Sequence, residues 1–127
     1  MTASPYESPH KHLCFAMFHI NEADSIVHKI GDRKIELRDV AVLFAMMSCC
    51  DYKTGKVKFV AKTLAKRLNI TATNFSASVK RLKQEFLVAL VLEQNGDKYY
   101  VINPYLFSVG RRQKWGHLVS LFSEAIN

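Results

Sequence analysis

A chain of 127 residues, 49% hydrophobic and 23% charged, is sized for one domain around one core, and none of its apolar runs approaches the roughly 20 residues that cross a bilayer. Residues 1–5 carry no charged n-region ahead of an apolar stretch, so no signal peptide is expected. The three cysteines, Cys14 and the adjacent Cys49 and Cys50, make a poor disulfide framework, which argues against a secreted scaffold and predicts a reducing, cytoplasmic location.

In chain order, residues 1–9, with Ser4, Pro5, Ser8 and Pro9, read as a flexible tail, and 10–127 as a single domain. Residues 12–20 are apolar with β-forming aromatics and are expected to be a strand. A turn at 21–24 and a second strand at 25–30 would complete a small N-terminal strand region. Leu37, Val40, Ala41, Phe44 and Met47 recur at helical spacing, and the residues between them are also apolar. A central, buried helix over 37–50 is the expectation. A turn at 51–55 and a short charged–apolar alternation at 56–59 follow.

The formal net charge of +7 is concentrated in the next stretch. Residues 56–83 hold Lys56, Lys58, Lys62, Lys66, Arg67, Lys80, Arg81 and Lys83 and no acid, while the ten other basic residues are nearly balanced by the eleven Asp and Glu. Such a one-signed patch attracts a polyanion, because each neutralised phosphate releases a condensed counterion. Within it, Ala61, Leu64, Ala65 and Leu68 predict a short helix over 60–68, with Lys62 and Lys66 on its other side. Residues 69–71 make a turn, and Thr71 is a plausible N-cap for a helix over 72–85. The spacing of Phe75, Val79, Leu82 and Phe86 sets the inward direction of that helix, so Thr73, Ala77, Lys80, Arg81 and Gln84 are expected to point outward.

Strands at 87–94 and 98–103 flank Asn95-Gly96-Asp97, and Asn-Gly favours a hairpin because both residues tolerate positive φ. Pro104 ends the second strand. Residues 111–126 predict an amphipathic helix with Trp115, Leu118, Val119, Phe122 and Ile126 on one face.

Helix, short strand, helix, turn, helix, hairpin is the order of a winged helix-turn-helix, an α+β fold, here with a small N-terminal strand region and a C-terminal helix. The stretch from residue 37 to 109 also carries LAKRLNITATNFSASVKRL and KYYVINPYLFSVG. These resemble plasmid replication initiators of the RepL type, in which an aromatic-rich wing strand runs into an Ile-Asn-Pro-like segment with Gly and basic residues beyond. Here those are Ile102-Asn103-Pro104 and Gly110-Arg111-Arg112. The resemblance covers a little over half of the chain and implies double-stranded DNA binding in plasmid or phage replication initiation. Ala77 departs from the pattern, since many winged helices place a long polar side chain there. Alanine can touch a thymine methyl but makes no bidentate contact to guanine.

The expected interface follows from the helix directions. Thr73, Asn74 and Ala77, in the N-terminal half of the recognition helix, lie nearest the base edges. Lys62, Lys66, Thr71, Ser76, Lys80 and Arg81 face phosphates. Asn95 and Lys98, on the wing, approach the flanking backbone or minor groove. Tyr99, Tyr100 and Tyr105 either stack on unpaired bases or, the preferred reading, pack on the helices. A homodimer is expected, formed through the C-terminal helix or the 12–20 strand.

A transcriptional repressor uses the same physics, and a winged-helix protein-interaction module is the rival from another class. His10, His12, Cys14 and His19 match no standard zinc spacing, so no metal is expected. No cofactor motif and no catalytic constellation is present, so no enzyme is expected.

Overall fold

The computed structural model describes residues 16–109 and 112–126. The tail over 1–9 and the His10, His12 and Cys14 group lie outside the described residues. The elements are β1 (Ala16–Phe18), α1 (Ile20–Gly31), α2 (Leu37–Met47), α3 (Ala61–Arg67), α4 (Ala72–Gln84), β2 (Val88–Leu92), β3 (Lys98–Ile102), β4 (Phe107–Val109) and α5 (Arg112–Ile126). The protein is thus α+β, with helices surrounding short antiparallel strands. Among the described residues no helix is long and apolar enough to cross a membrane.

The main core forms where α2, α3 and α4 turn their apolar stripes on one another. Val42, Leu43 and Met46 come from α2, Leu64 and Ala65 from α3, and Phe75, Val79 and Leu82 from α4. The spacing of these residues, adjacent or three to four apart, keeps them on one side of each helix, which is why each helix buries one stripe and leaves the rest to solvent. α2 is not buried all round, as its composition suggests. Leu37 and Phe44 stay 74% and 57% exposed, because only one side of the helix finds a partner.

A second, smaller core lies on the other side of the β2–β3 hairpin. Ala89, Val91, Tyr99 and Val101 alternate onto that face and meet Leu118 and Phe122 of α5. The centre of the α5 stripe is therefore used within the chain, while Ile126 remains 39% exposed at its end. Trp115 is tied down as well: its Nε1–H donates to Pro104 O at 2.9 Å, and its ring meets Tyr105 edge-on. The hairpin register, Leu90 opposite Tyr100 and Leu92 opposite Lys98, follows from the turn at Asn95-Gly96, where Gly96 takes φ 87°.

Three expectations for the strands need correction. Residues 21–30 are neither turn nor strand but most of α1, whose Ile26 and Ile30, one turn apart, pack against the main core. The β-branched residues suggested a strand, and tertiary packing overrode that propensity. β1 pairs not with a neighbour in sequence but with β4, near the other end of the described chain, with Phe18 opposite Phe107 and their rings 5.3 Å apart. Residues 56–59 form no full strand. Val57 alone exchanges backbone hydrogen bonds with Tyr100, both at 2.9 Å, and bridges to Cys50.

α3 and α4 end in the same way. After each helix one residue takes a left-handed conformation, Asn69 at φ 57° and Phe86 at φ 59°, and the next N–H reaches back five residues to the helix (Ile70 to Ala65 O, Leu87 to Leu82 O). Asn69 tolerates this conformation. It lets the chain leave α3 and enter α4 after a four-residue turn, which sets the angle between the two helices.

Candidate nucleic-acid interface

The site is built on α3, the turn and α4. Thr71 caps α4, its hydroxyl accepting from the Asn74 N–H at 3.0 Å, and its own O–H remains able to donate. Beyond the cap the N-terminal half of α4 is open. Thr73, Asn74 and Ser76 are exposed and Ala77 is half-buried. Lys62, Lys66 and Arg67 of α3 and Lys80 and Lys83 of α4 are also exposed. Most of the residues expected to read bases or bind phosphates are therefore presented together on α3, the turn and α4.

Arg81 is the exception. It points inward, not outward. Its Nε lies 2.8 Å from Asp39 Oδ2 and its Nη2 3.0 Å from Oδ1, a bidentate pair across the interface between α4 and α2. Glu36 adds a second carboxylate 3.5 Å away. Asp39 is fully buried, and its Oδ2 also accepts the Glu36 N–H at 2.9 Å, helping to start α2. Beside this pair, Arg38 Nε donates to the Ser78 hydroxyl at 3.0 Å.

Burial works to raise the Asp39 carboxyl pKa. Hydrogen bonds from Arg81, from the Glu36 N–H and from Ser78, together with the guanidinium charge, outweigh it and hold the carboxyl below its ordinary value of 3.8. Arg81 thus ties α4 to α2, with Nε and Nη2 of its guanidinium engaged by Asp39. The helical wheel misplaces it because an apolar stripe is not the only inward direction: a polar side chain turns inward where a buried partner is waiting.

The β2–β3 hairpin differs from expectation in a related way. Asn95 Oδ1 accepts the Asp97 N–H at 2.8 Å and shapes the turn, and Lys98 is exposed. Asp97, however, draws in cations: Lys58 Nζ lies 2.8 Å from Oδ1 and Lys56 Nζ 4.0 Å from Oδ2. The Lys58 hydrogen bond, with help from the Lys98 N–H and Lys56, lowers the Asp97 pKa. Lys56 also approaches Glu93 at 3.7 Å and lies over the Tyr99 ring, 4.6 Å from its centre. The tip is therefore close to neutral; Lys58 and Lys98 are both exposed, Lys58 in its pair with Asp97.

The tyrosines divide by environment. Tyr99 is buried and its hydroxyl donates to Glu93 at 2.7 Å; burial and that carboxylate push its pKa up to about 12. Tyr105 packs against Trp115. Tyr100 is only half-buried and stacks on Phe59, with ring centres 5.4 Å apart.

Lys56, Lys58 and Arg81 are thus paired, and Lys62, Lys66, Arg67, Lys80 and Lys83 remain from the acid-free window. Among the described residues no carboxylate pairs with any of these five. Arg67 and Lys83 were not among the expected contacts. The signal for Lys83 was its position three residues after Lys80, on the same side of α4. A scan against protein-family models matched none of them, and searches of curated proteins and of solved structures found no match.

Proposed function

We propose that this protein is a winged helix-turn-helix that binds double-stranded DNA, with α4 entering the major groove and the β2–β3 hairpin as the wing. The observation that carries the reading is the set of five exposed cations on the α3–turn–α4 unit that have no carboxylate partner among the described residues, beside the open N-terminal half of α4. Thr73, Asn74 and Ala77 approach base edges, and Lys62, Lys66, Arg67, Lys80 and Lys83, with Thr71, Ser76 and Lys98, approach the sugar–phosphate backbone. With Ala77 at a reading position, affinity comes mainly from phosphates and sequence preference is modest. The resemblance to RepL-type initiators extends the proposal to plasmid or phage replication initiation.

Fluorescence anisotropy with duplex DNA at several salt concentrations tests it. Each lost phosphate contact flattens the plot of log K against log salt by about 0.9. Replacing Lys62, Lys66 and Lys80 together by Ala should weaken binding to all duplexes alike and flatten the slope by about three contacts' worth. An unchanged slope would sink the docking. A homodimer is part of the proposal, since two half-sites bound together act at high effective concentration. Light scattering should give twice the 14.5 kDa of one chain; the mass of a single chain would remove the dimer.

A further inference from the structure

α4 has a second polar flank. Ser76, Val79, Lys80 and Lys83 fall at i, i+3, i+4 and i+7, and so line one side of the helix. Opposite them stand Phe59 and Tyr100, stacked with an interplanar angle of 19°. Between the two walls runs an open groove of about 390 Å³, with Phe75 at its base. This volume is near the lower end for small-ligand sites, which run from about 300 to 1,000 Å³.

The lining has a definite chemistry. Its floor and one wall are aromatic or apolar, its opposite rim carries two ammonium groups and a hydroxyl, and none of its lining residues is acidic. A flat π-system joined to an anion is the ligand such a surface complements. The aromatic wall is held in place in advance. Tyr100 is fixed by both backbone hydrogen bonds to Val57 and by its pairing with Leu90, and Phe59 meets Phe75 edge-on at 5.7 Å. A wall already ordered loses little freedom when a ring packs against it. A smaller recess of about 200 Å³ also has Phe59 and Tyr100 in its lining, together with Lys58 and Lys98. The stacked rings therefore line two recesses, each with lysines in its lining.

We propose that the groove holds one unpaired nucleotide of a DNA strand, its base against Phe59 and Tyr100 and its phosphate between Lys80 and Lys83. The choice of DNA rests on the duplex-binding reading, while the unpaired base rests on the groove alone. Base–aromatic stacking tolerates any sequence, because every base has a π-face. The groove thus adds a contact that duplex DNA, with its bases paired and stacked, cannot make.

The experiment uses the unmodified protein with a short oligo(dT) carrying one 5-iododeoxyuridine, photo-cross-linked and mapped by peptide mass spectrometry. Duplex binding is measured in parallel by anisotropy. Cross-links at Phe59 or Tyr100 are expected. Duplex binding with cross-links only elsewhere, or with no single-strand binding, overturns the groove and leaves the duplex reading standing. No binding to either form overturns both. As a second measurement, Tyr100→Leu should weaken oligo(dT) binding about tenfold or more and leave duplex affinity within twofold. Equal losses on both forms would also overturn the proposal.

Discussion

Arg81→Ala is expected to destabilise the fold by about 3–5 kcal/mol, because it leaves the Asp39 carboxylate buried without its cation. Asp39 is fully buried, and two of the hydrogen bonds to its oxygens come from this one guanidinium, at 2.8 and 3.0 Å. Against a typical domain stability of about 5–15 kcal/mol, the loss is large enough to unfold a marginal protein. Arg81→Lys keeps the charge but loses the bidentate geometry, so it should fall between wild type and Ala. Replacing the pair together, Asp39→Leu with Arg81→Met, should recover most of the loss, since no charge is then left unpaired. Chemical denaturation of wild type and the three variants checks this. A loss below about 1 kcal/mol for Arg81→Ala would mean that the pair does not hold α4 to α2.

The same pair gives the stability a pH signature. The folded-state pKa of Asp39 lies below that of the unfolded chain, so as the pH falls the unfolded state takes up its proton first. The contribution is complete above the ordinary carboxylate range and is lost as the pH drops through the lowered folded-state pKa. Thermal midpoints between about pH 6 and about pH 2 should fall more steeply for wild type than for Asp39→Asn, which has no carboxylate to titrate at this position. Parallel curves would sink this assignment.

Phe75→Ala should cost about 3–5 kcal/mol, the range for emptying a phenylalanine site in a close-packed core. The ring is fully buried at the centre of the α4 stripe, between Val79 and the edge of the Phe59 ring. Phe75→Leu, which retains most of the volume, should cost less. A double-mutant cycle with Phe59→Leu should show about 0.5–1.5 kcal/mol of coupling from the edge-to-face contact. A loss under about 1 kcal/mol for Phe75→Ala would mean that the core closes over the gap or that the stripe packs elsewhere.

Much of the frame was legible along the chain. The Thr71 cap, the Phe75–Val79–Leu82 stripe, the hairpin turn at Asn95-Gly96 and the apolar side of α5 each depend on residues within a few positions of one another. Helical periodicity, capping and turn chemistry express such local patterns directly. α1 was not legible, because its Ile and Val residues are as much at home in a strand and only the packing of Ile26 and Ile30 decides between the two. β4 was missed because three residues carry no periodicity, and its partner β1 lies some 90 residues away in the chain.

The candidate site divides along the same line. The sequence by itself determined that residues 56–83 carry eight cations and no acid, and that six of the eight fall on two short helices. It could not determine which of those charges stay open. Asp39 reaches Arg81 across 42 positions and Asp97 reaches Lys58 across 39, so the acids missing from the window are supplied to it in space. An ion pair depends on distance and burial, not on separation along the chain. Only the tertiary structure could therefore pair Arg81 with Asp39 and leave Lys62, Lys66, Arg67, Lys80 and Lys83 exposed on the surface.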